Sequence, residues 1–258
     1  MLTSRDKETF FTRGWFVKPQ LFDADEIRKI RDCFQSLEAR AAAMSETGDN
    51  SGSYFVLETK NGEQIIKRVV WAGGSQPFLL SIGSDPRLTA VASELLDTPV
   101  IEQLLSQAHF KRPGDGVTFG WHQDIQHRDK GQDTWHDVNG QGSFVQTLIA
   151  VDDMTPNSGP LKFIPNSASW GNLMLKDTDY ESADERDSTL PFDASTAVTI
   201  EAKAGDTLFF GPYTVHASFE NTSKCYRRVF INGYAYPGAN SRVYPGEGAC
   251  RKLTVHHV

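Results

Sequence analysis

Thr207-Leu-Phe-Phe-Gly-Pro-Tyr-Thr-Val-His216 reads as a short apolar strand, a Gly-Pro turn and then a histidine. Gly and Pro punctuate a chain because one reaches backbone angles closed to other residues and the other fixes φ and lacks an N–H. Outward from this stretch the pattern repeats. Segments rich in β-favouring residues at 101–110, 116–121, 144–151, 161–164, 197–200 and 227–236 are separated by Gly, Pro, Asn and Asp. Many short strands at this spacing predict an antiparallel sandwich or barrel, so residues of about 99–236 are expected to form a mainly β core.

The first third has a different period. Asp23 followed by Glu26 forms the signature of a capping box, and Ile27, Ile30, Phe34 and Leu37 recur at helical spacing. An amphipathic helix is predicted over 24–43. A second is predicted over 86–96, with Asp85 as its cap and Pro86 in its first turn. Between them, residues 48–74 are polar and glycine-rich, with strand-like pieces at 54–57 and 65–71, and residues 173–195 read as an acidic loop. The expectation is one domain over 1–258, with a helical layer of about 1–98 on the β core.

Composition narrows the partners. A formal charge of -7 argues against a nucleic-acid-binding protein, whose footprint is basic. The N-terminus is charged almost from its start and lacks the apolar core of a secretion signal, and no later run is long enough to span a membrane. Cys33, Cys225 and Cys250 are odd in number and widely spaced, forming neither a disulfide framework nor a metal knuckle. A cytoplasmic protein acting on a small-molecule substrate, with no nucleic-acid or membrane partner, is expected.

The chemistry gathers in two places. Phe119-Gly-Trp-His122-Gln-Asp124 puts an imidazole and a carboxylate two residues apart, on one face of an extended strand. Seven histidines make one such pair by chance unsurprising, but His216 follows its own strand and turn, and Arg227 comes eleven residues later. Two histidines and one carboxylate form the facial triad of non-haem iron(II) oxygenases, which leaves neighbouring coordination positions open. A guanidinium suits the far carboxylate of a 2-oxo acid bound there, because its planar fork matches that group. His127 and His136 suggest a zinc site, but no cysteine accompanies them, and loop histidines more often line a pocket or face solvent.

The chain resembles the phytanoyl-CoA dioxygenase family. The resemblance rests on His122-Gln-Asp124, on the run from Ala150-Val-Asp-Asp-Met-Thr-Pro-Asn-Ser-Gly159 through Pro-Leu-Lys-Phe-Ile-Pro165-Asn-Ser167, and on His216-Ala-Ser218 with Arg227. It extends more weakly to Phe10-Phe-Thr-Arg-Gly-Trp-Phe-Val-Lys18. It implies a double-stranded β-helix, or cupin-like jelly roll, with flanking N-terminal helices. It implies His122, Asp124 and His216 as iron(II) ligands, Arg227 and Ser218 as contacts for 2-oxoglutarate, and Gln107 as a further cosubstrate contact. The reaction implied is hydroxylation of a C–H bond of a small-molecule metabolite, consuming O2 and 2-oxoglutarate and releasing succinate and CO2. One departure is visible: Pro165-Asn-Ser-Ala168 stands where the family often has Pro-Gly-Ser-His.

Two other readings compete. Related halogenating enzymes lack the carboxylate ligand, whereas Asp124 is present. A cupin-like module could bind a metal or a sugar without redox chemistry, against which the interval from His216 to Arg227 argues. Residues 48–74 and 125–142 are expected to cover the site, with Lys67, Arg68, Trp135 and His136 as candidate substrate contacts. In the last strand Arg227 is expected to face the interior with Val229 and Ile231, leaving Arg228, Phe230 and Asn232 on the outer face.

Overall fold

The computed structural model describes residues 2–60, 62–129, 133–175 and 190–255. Its elements are α1 (Ser4–Arg13), β1 (Trp15–Lys18), α2 (Ala24–Ala42), β2 (Gly48–Asn50), β3 (Ser53–Lys60), β4 (Glu63–Val70), α3 (Pro77–Ile82), α4 (Pro86–Leu96) and β5 (Val100–His109). Then come β6 (Phe119–His122), α5 (Gln126–Asp129), β7 (Phe144–Ala150), β8 (Leu161–Phe163), β9 (Val198–Thr199), β10 (Thr207–Phe210), β11 (His216–Ser218), β12 (Val229–Ala235) and β13 (Arg251–Thr254).

Two antiparallel sheets face one another. The larger runs β1-β10-β7-β12-β5-β4-β3-β2, with β13 also on β5, and the smaller runs β6-β11-β8-β9. This is the jelly-roll arrangement expected. Alternate residues of the central strands enter two different cores, which explains why these strands contain so few polar residues. Leu148, Leu208, Phe210, Val229 and Ile231 fill the space between the sheets with Phe163. Ile149, Phe209 and Phe230, one residue out of step, belong to the core with Ile27, Ile30 and Phe34 of α2. An antiparallel strand usually wets one face; here helices cover one face and the small sheet the other, so β7, β10 and β12 are buried throughout.

The capping box of α2 forms as its sequence indicates. The Asp23 carboxylate accepts from the N–H groups of Asp25 and Glu26, and Glu26 returns a bond to the Asp23 N–H. Arg87 then ties the two helices together, its Nη2 lying 2.6 Å from Glu26 of α2 and 2.7 Å from Asp85, the cap of α4.

The N-terminal third departs from a purely helical layer, because β1 to β4 all join the large sheet. β3 and β4 extend the pieces expected at 54–57 and 65–71. The sequence pattern does not signal α1, β1, β2, α3, α5, β11 or β13. α1 buries only Phe10 and so carries no readable apolar stripe. Residues 176–189 of the acidic loop, 130–132 of the expected cover, and His256 and His257 lie outside the described residues. Among the described residues no helix is long and apolar enough to cross a membrane.

Candidate active site

His122 ends β6 and His216 opens β11, and the two are register partners across that pair of strands. Asp124 follows two residues later, in the turn into α5. The His122 and His216 Nε2 atoms lie 3.8 and 3.9 Å from the same Asp124 oxygen, Oδ1. These separations are too long for hydrogen bonds, so the three donors face a common point rather than one another. One ligand atom from each lies within 4.8 Å of the others, and no other such group of three occurs among the described residues.

Each imidazole is anchored from behind. Nδ1 of His122 bonds the Gly120 carbonyl at 2.7 Å, and Nδ1 of His216 bonds the Thr214 carbonyl at 2.9 Å. A carbonyl only accepts, so both Nδ1 atoms carry a proton and both Nε2 atoms face the site. Burial, reinforced by His216 and opposed by Asp124, lowers the His122 pKa to about 4. The ring is therefore neutral near pH 7, which argues against a plain His–Asp ion pair. Asp124 is 5% exposed, and its Oδ2 is buried with no hydrogen-bond partner. A buried carboxylate oxygen without a partner is costly unless a cation completes it. Two imidazoles presenting Nε2 and one carboxylate are a donor set suited to iron(II).

The triad opens into a cavity of about 310 Å³ between the sheets. Arg227 reaches it from just before β12 and is 2% exposed. Its Nε donates to the Gly159 carbonyl at 2.9 Å, and its Nη2 donates to the same oxygen. Burial lowers its pKa to about 9, partly offset by Asp152, and no carboxylate lies within ion-pair distance of it among the described residues. Gly159 has φ +72, and a Cβ there would stand 2.5 Å from the Phe219 carbonyl, so only glycine presents this oxygen to Arg227. Arg228 turns the other way. It makes two hydrogen bonds to Asp152, at 2.8 and 2.9 Å, on the face covered by α2.

Ser218 and Gln107 also line the cavity. The Ser218 hydroxyl accepts from Lys111 Nζ at 2.9 Å, which leaves its own proton for a ligand. Gln107 accepts from His109 Nε2 at 2.8 Å. Lys111 is 1% exposed, and burial and then Arg227 hold its pKa well below the usual lysine value.

Of the four candidate substrate contacts, only Arg68 lines the cavity. Lys67 points to the opposite face of β4 and pairs with Glu58 at 3.3 Å. Trp135 packs edge-on against Phe144, 6.0 Å between centroids. His136 is exposed. The structure adds residues that pattern reading did not assign to the site. His109 follows Gln107 on the same face of β5, a period-two signal that could have found it. Arg128, Gln146, Arg242 and Tyr244 also line the cavity, and His127 reaches its wall with its ring 5.4 Å from that of His122.

Residues 11–229 match the family model described as phytanoyl-CoA dioxygenase. L-proline trans-4-hydroxylase of Streptomyces griseoviridis is 24% identical over 242 residues, which is 86% of this chain and 82% of that protein. An ectoine dioxygenase of Sphingopyxis alaskensis is 27% identical over 169 residues, 64% of this chain and half of that one. Two crystal structures share the fold. EctD from S. alaskensis with 2-oxoglutarate and 5-hydroxyectoine has a TM-score of 0.70 at 21% identity, covering 92% of this chain and 77% of its own. The epimerase SnoN in complex with Fe3+, alpha ketoglutarate and nogalamycin RO has 0.67 at 17%, covering 94% and 93%. With the match extending from the end of α1 to the start of β12, the chain belongs to the phytanoyl-CoA dioxygenase family.

Proposed function

We propose that this chain is an iron(II)- and 2-oxoglutarate-dependent dioxygenase that hydroxylates a C–H bond of a small-molecule metabolite and releases succinate and CO2. The observation that carries the reading is the unpartnered Oδ2 of buried Asp124, held between two imidazoles whose Nδ1 atoms are already committed. His122, Asp124 and His216 would hold the metal. Iron(II) bound there supplies a coordination site for a 2-oxo acid and dioxygen, and with it the means to oxidise an unactivated C–H bond.

The chain's own residues do the positioning. Arg227, steadied by Gly159, takes the distal carboxylate of 2-oxoglutarate, and Ser218 donates its hydroxyl proton to the same group. Leu148, Phe210, Val229 and Ile231 keep this end of the cavity dry. That strengthens the charge pairing and excludes competing water. A metal- or sugar-binding module without redox chemistry would have no use for a buried guanidinium beside the triad. One domain and a reducing cytoplasm complete the reading, the latter favoured by three free cysteines.

The test is succinate release by purified protein, with iron, 2-oxoglutarate and oxygen omitted in turn. The expected result is dependence on all three and gain of one oxygen atom by the substrate. Asp124→Ala should lose bound iron and drop turnover by more than about 100-fold, since changes behind metal ligands already cost up to that much. Iron stoichiometry and turnover close to those of the unmodified protein would overturn the assignment.

A further inference from the structure

We infer that the end of the cavity formed by Arg128, Arg242 and Tyr244 binds a carboxylate of the primary substrate, while Gln146 accepts a hydrogen bond from an N–H or O–H of the same molecule. This deepens the proposed function and rests on its placing of 2-oxoglutarate at the Arg227 end.

Arg128 is 5% exposed, on the one-turn helix α5. Its Nη1 donates to the Tyr244 hydroxyl at 3.1 Å, and its Nε reaches the Asp124 main-chain oxygen at 3.4 Å. Its guanidinium also lies over two ring faces, Phe144 at 4.9 Å and Tyr244 at 5.4 Å. A guanidinium carries five N–H donors, and these contacts use two. Among the described residues no carboxylate lies within ion-pair distance of it. A buried cation without a counter-charge is costly, and a ligand that brings the missing anion recovers that cost.

Arg242 repeats the arrangement from the other side. Its Nη1 donates to the His127 carbonyl at 3.1 Å, and its guanidinium lies 5.1 Å from the centre of the same Tyr244 ring. Two guanidiniums thus flank one tyrosine. Because the Tyr244 oxygen accepts from Arg128, its own proton is available to a third group, and an anion is the group that suits it.

Gln146 stands two residues beyond Phe144 on β7, so both side chains share a face. It is 5% exposed, and its Oε1 has no hydrogen-bond partner. It lines the same cavity as Arg128 and Arg242 and offers an acceptor to a donor on the ligand.

Charge and size define the ligand class. Four arginines line the cavity (Arg68, Arg128, Arg227 and Arg242) against one carboxylate, Asp124, in a chain of net charge -7. The excess is local and disfavours a cationic substrate. About 310 Å³, shared with a five-carbon dicarboxylate, is at the small end for a ligand pocket and leaves room for a compact metabolite. A carboxylate, with two oxygens in one plane, matches the guanidinium fork. Small amino, imino or hydroxy acids are the class that meets both demands.

The experiment is calorimetric titration of the iron(II)-loaded protein, without oxygen and with saturating 2-oxoglutarate. The probes are the proteinogenic L-amino acids and short straight-chain carboxylic and hydroxy acids, each beside its amide, with phosphoserine and inorganic phosphate as a separate arm. At least one carboxylate should bind, its amide at least about tenfold more weakly. Arg242→Ala should weaken that carboxylate at least about tenfold while 2-oxoglutarate affinity holds, and Gln146→Leu should weaken it less. Arg128→Gln is a poorer probe, since Arg128 also touches the main chain of a metal ligand. The inference is overturned if no carboxylate binds in an Arg242-dependent way, if amides bind equally well, or if only phosphates bind. Failure of 2-oxoglutarate itself to bind, or its loss in Arg242→Ala, would instead overturn the proposed function.

Discussion

The two ends of the cavity each carry arginine, by different constructions. At one end Arg227 and Ser218, with Lys111 behind them, sit at or just beyond strand termini. The main chains of Lys111 and Arg227 exchange two hydrogen bonds, at 3.1 and 3.0 Å, extending the β5–β12 ladder beyond its last paired residues. At the other end Arg128, Arg242 and Tyr244 come from a single helical turn and from the irregular segment after β12. The first end is fixed by backbone pairing and, in the proposed function, receives a cosubstrate that does not change. The second is carried on connections, where residues can be exchanged without disturbing the sheets. On the proposed function, this difference would let one scaffold keep its chemistry constant while its choice of substrate varies.

The sharpest way to break the comparison is Arg227→Ala. Leaving a cosubstrate carboxylate without its buried partner should raise the 2-oxoglutarate requirement by about 2–5 kcal/mol in binding free energy. Arg227→Lys should recover only part, because an ammonium cannot reproduce the fork. A titration showing an unchanged requirement would mean that the cosubstrate lies at the other end.

Acid offers a second test of the strand-built end. His122 takes up its proton at about pH 4 when folded and near 6.5 when unfolded. Between those values the unfolded chain holds the extra proton, so its contribution to stability is complete above about pH 6.5 and is lost as the pH falls towards 4. The difference corresponds to about 3 kcal/mol. His109, lowered in the same direction chiefly by burial, should add to it. Melting of the iron-free protein across this range should show the loss, and His122→Asn should flatten it; an identical slope in the variant would place the acid sensitivity elsewhere.

Arg228→Ala is the smallest of the three and isolates the outer face. Removing the paired hydrogen bonds to Asp152 should destabilise the fold by about 1.5–3 kcal/mol, since these bonds are charged and largely shielded. The 2-oxoglutarate requirement should stay as it was. A shift in that requirement with no change in melting would reverse the assigned facing of the two arginines.

The same contrast governs how much could be read in advance. Strands β7, β10 and β12 are legible because they are short runs rich in β-favouring residues bounded by Gly, Pro, Asn and Asp, and a two-residue period puts Arg227 and Arg228 on opposite faces. The spacing of His122, Asp124 and His216 identified a possible metal site for a similar reason: two of the three lie on strands and the third in the turn that follows. Arg128, Arg242 and Tyr244 carry no such signal, because segments 114 residues apart in sequence, at 128 and 242, meet only through tertiary packing. Lys111, next to Arg112 and Pro113, reads as an ordinary surface charge, and only the fold reveals its burial. Trp135 and His136 are expected at the site because they lie in the glycine-containing segment after Asp124, where the resembling family has its active-site cover. Packing against Phe144 and exposure to solvent take them elsewhere.

The end of α1 reaches further than its own helix. The Gly14 carbonyl accepts from the Gly211 N–H at 3.2 Å and from the Thr214 hydroxyl at 2.9 Å, and the carbonyl of that same threonine holds Nδ1 of His216. Immediately afterwards β1 pairs with β10, placing Trp15 opposite Phe210 and closing what would otherwise be an open edge of Thr207-Leu-Phe-Phe210. The amino-terminal residues therefore act as a latch on the turn that aims a proposed metal ligand. A shortened amino terminus would misdirect one imidazole and expose a sticky, phenylalanine-rich edge, so poor metal loading and self-association would arrive together, from a cut made about two hundred residues away from the histidine concerned.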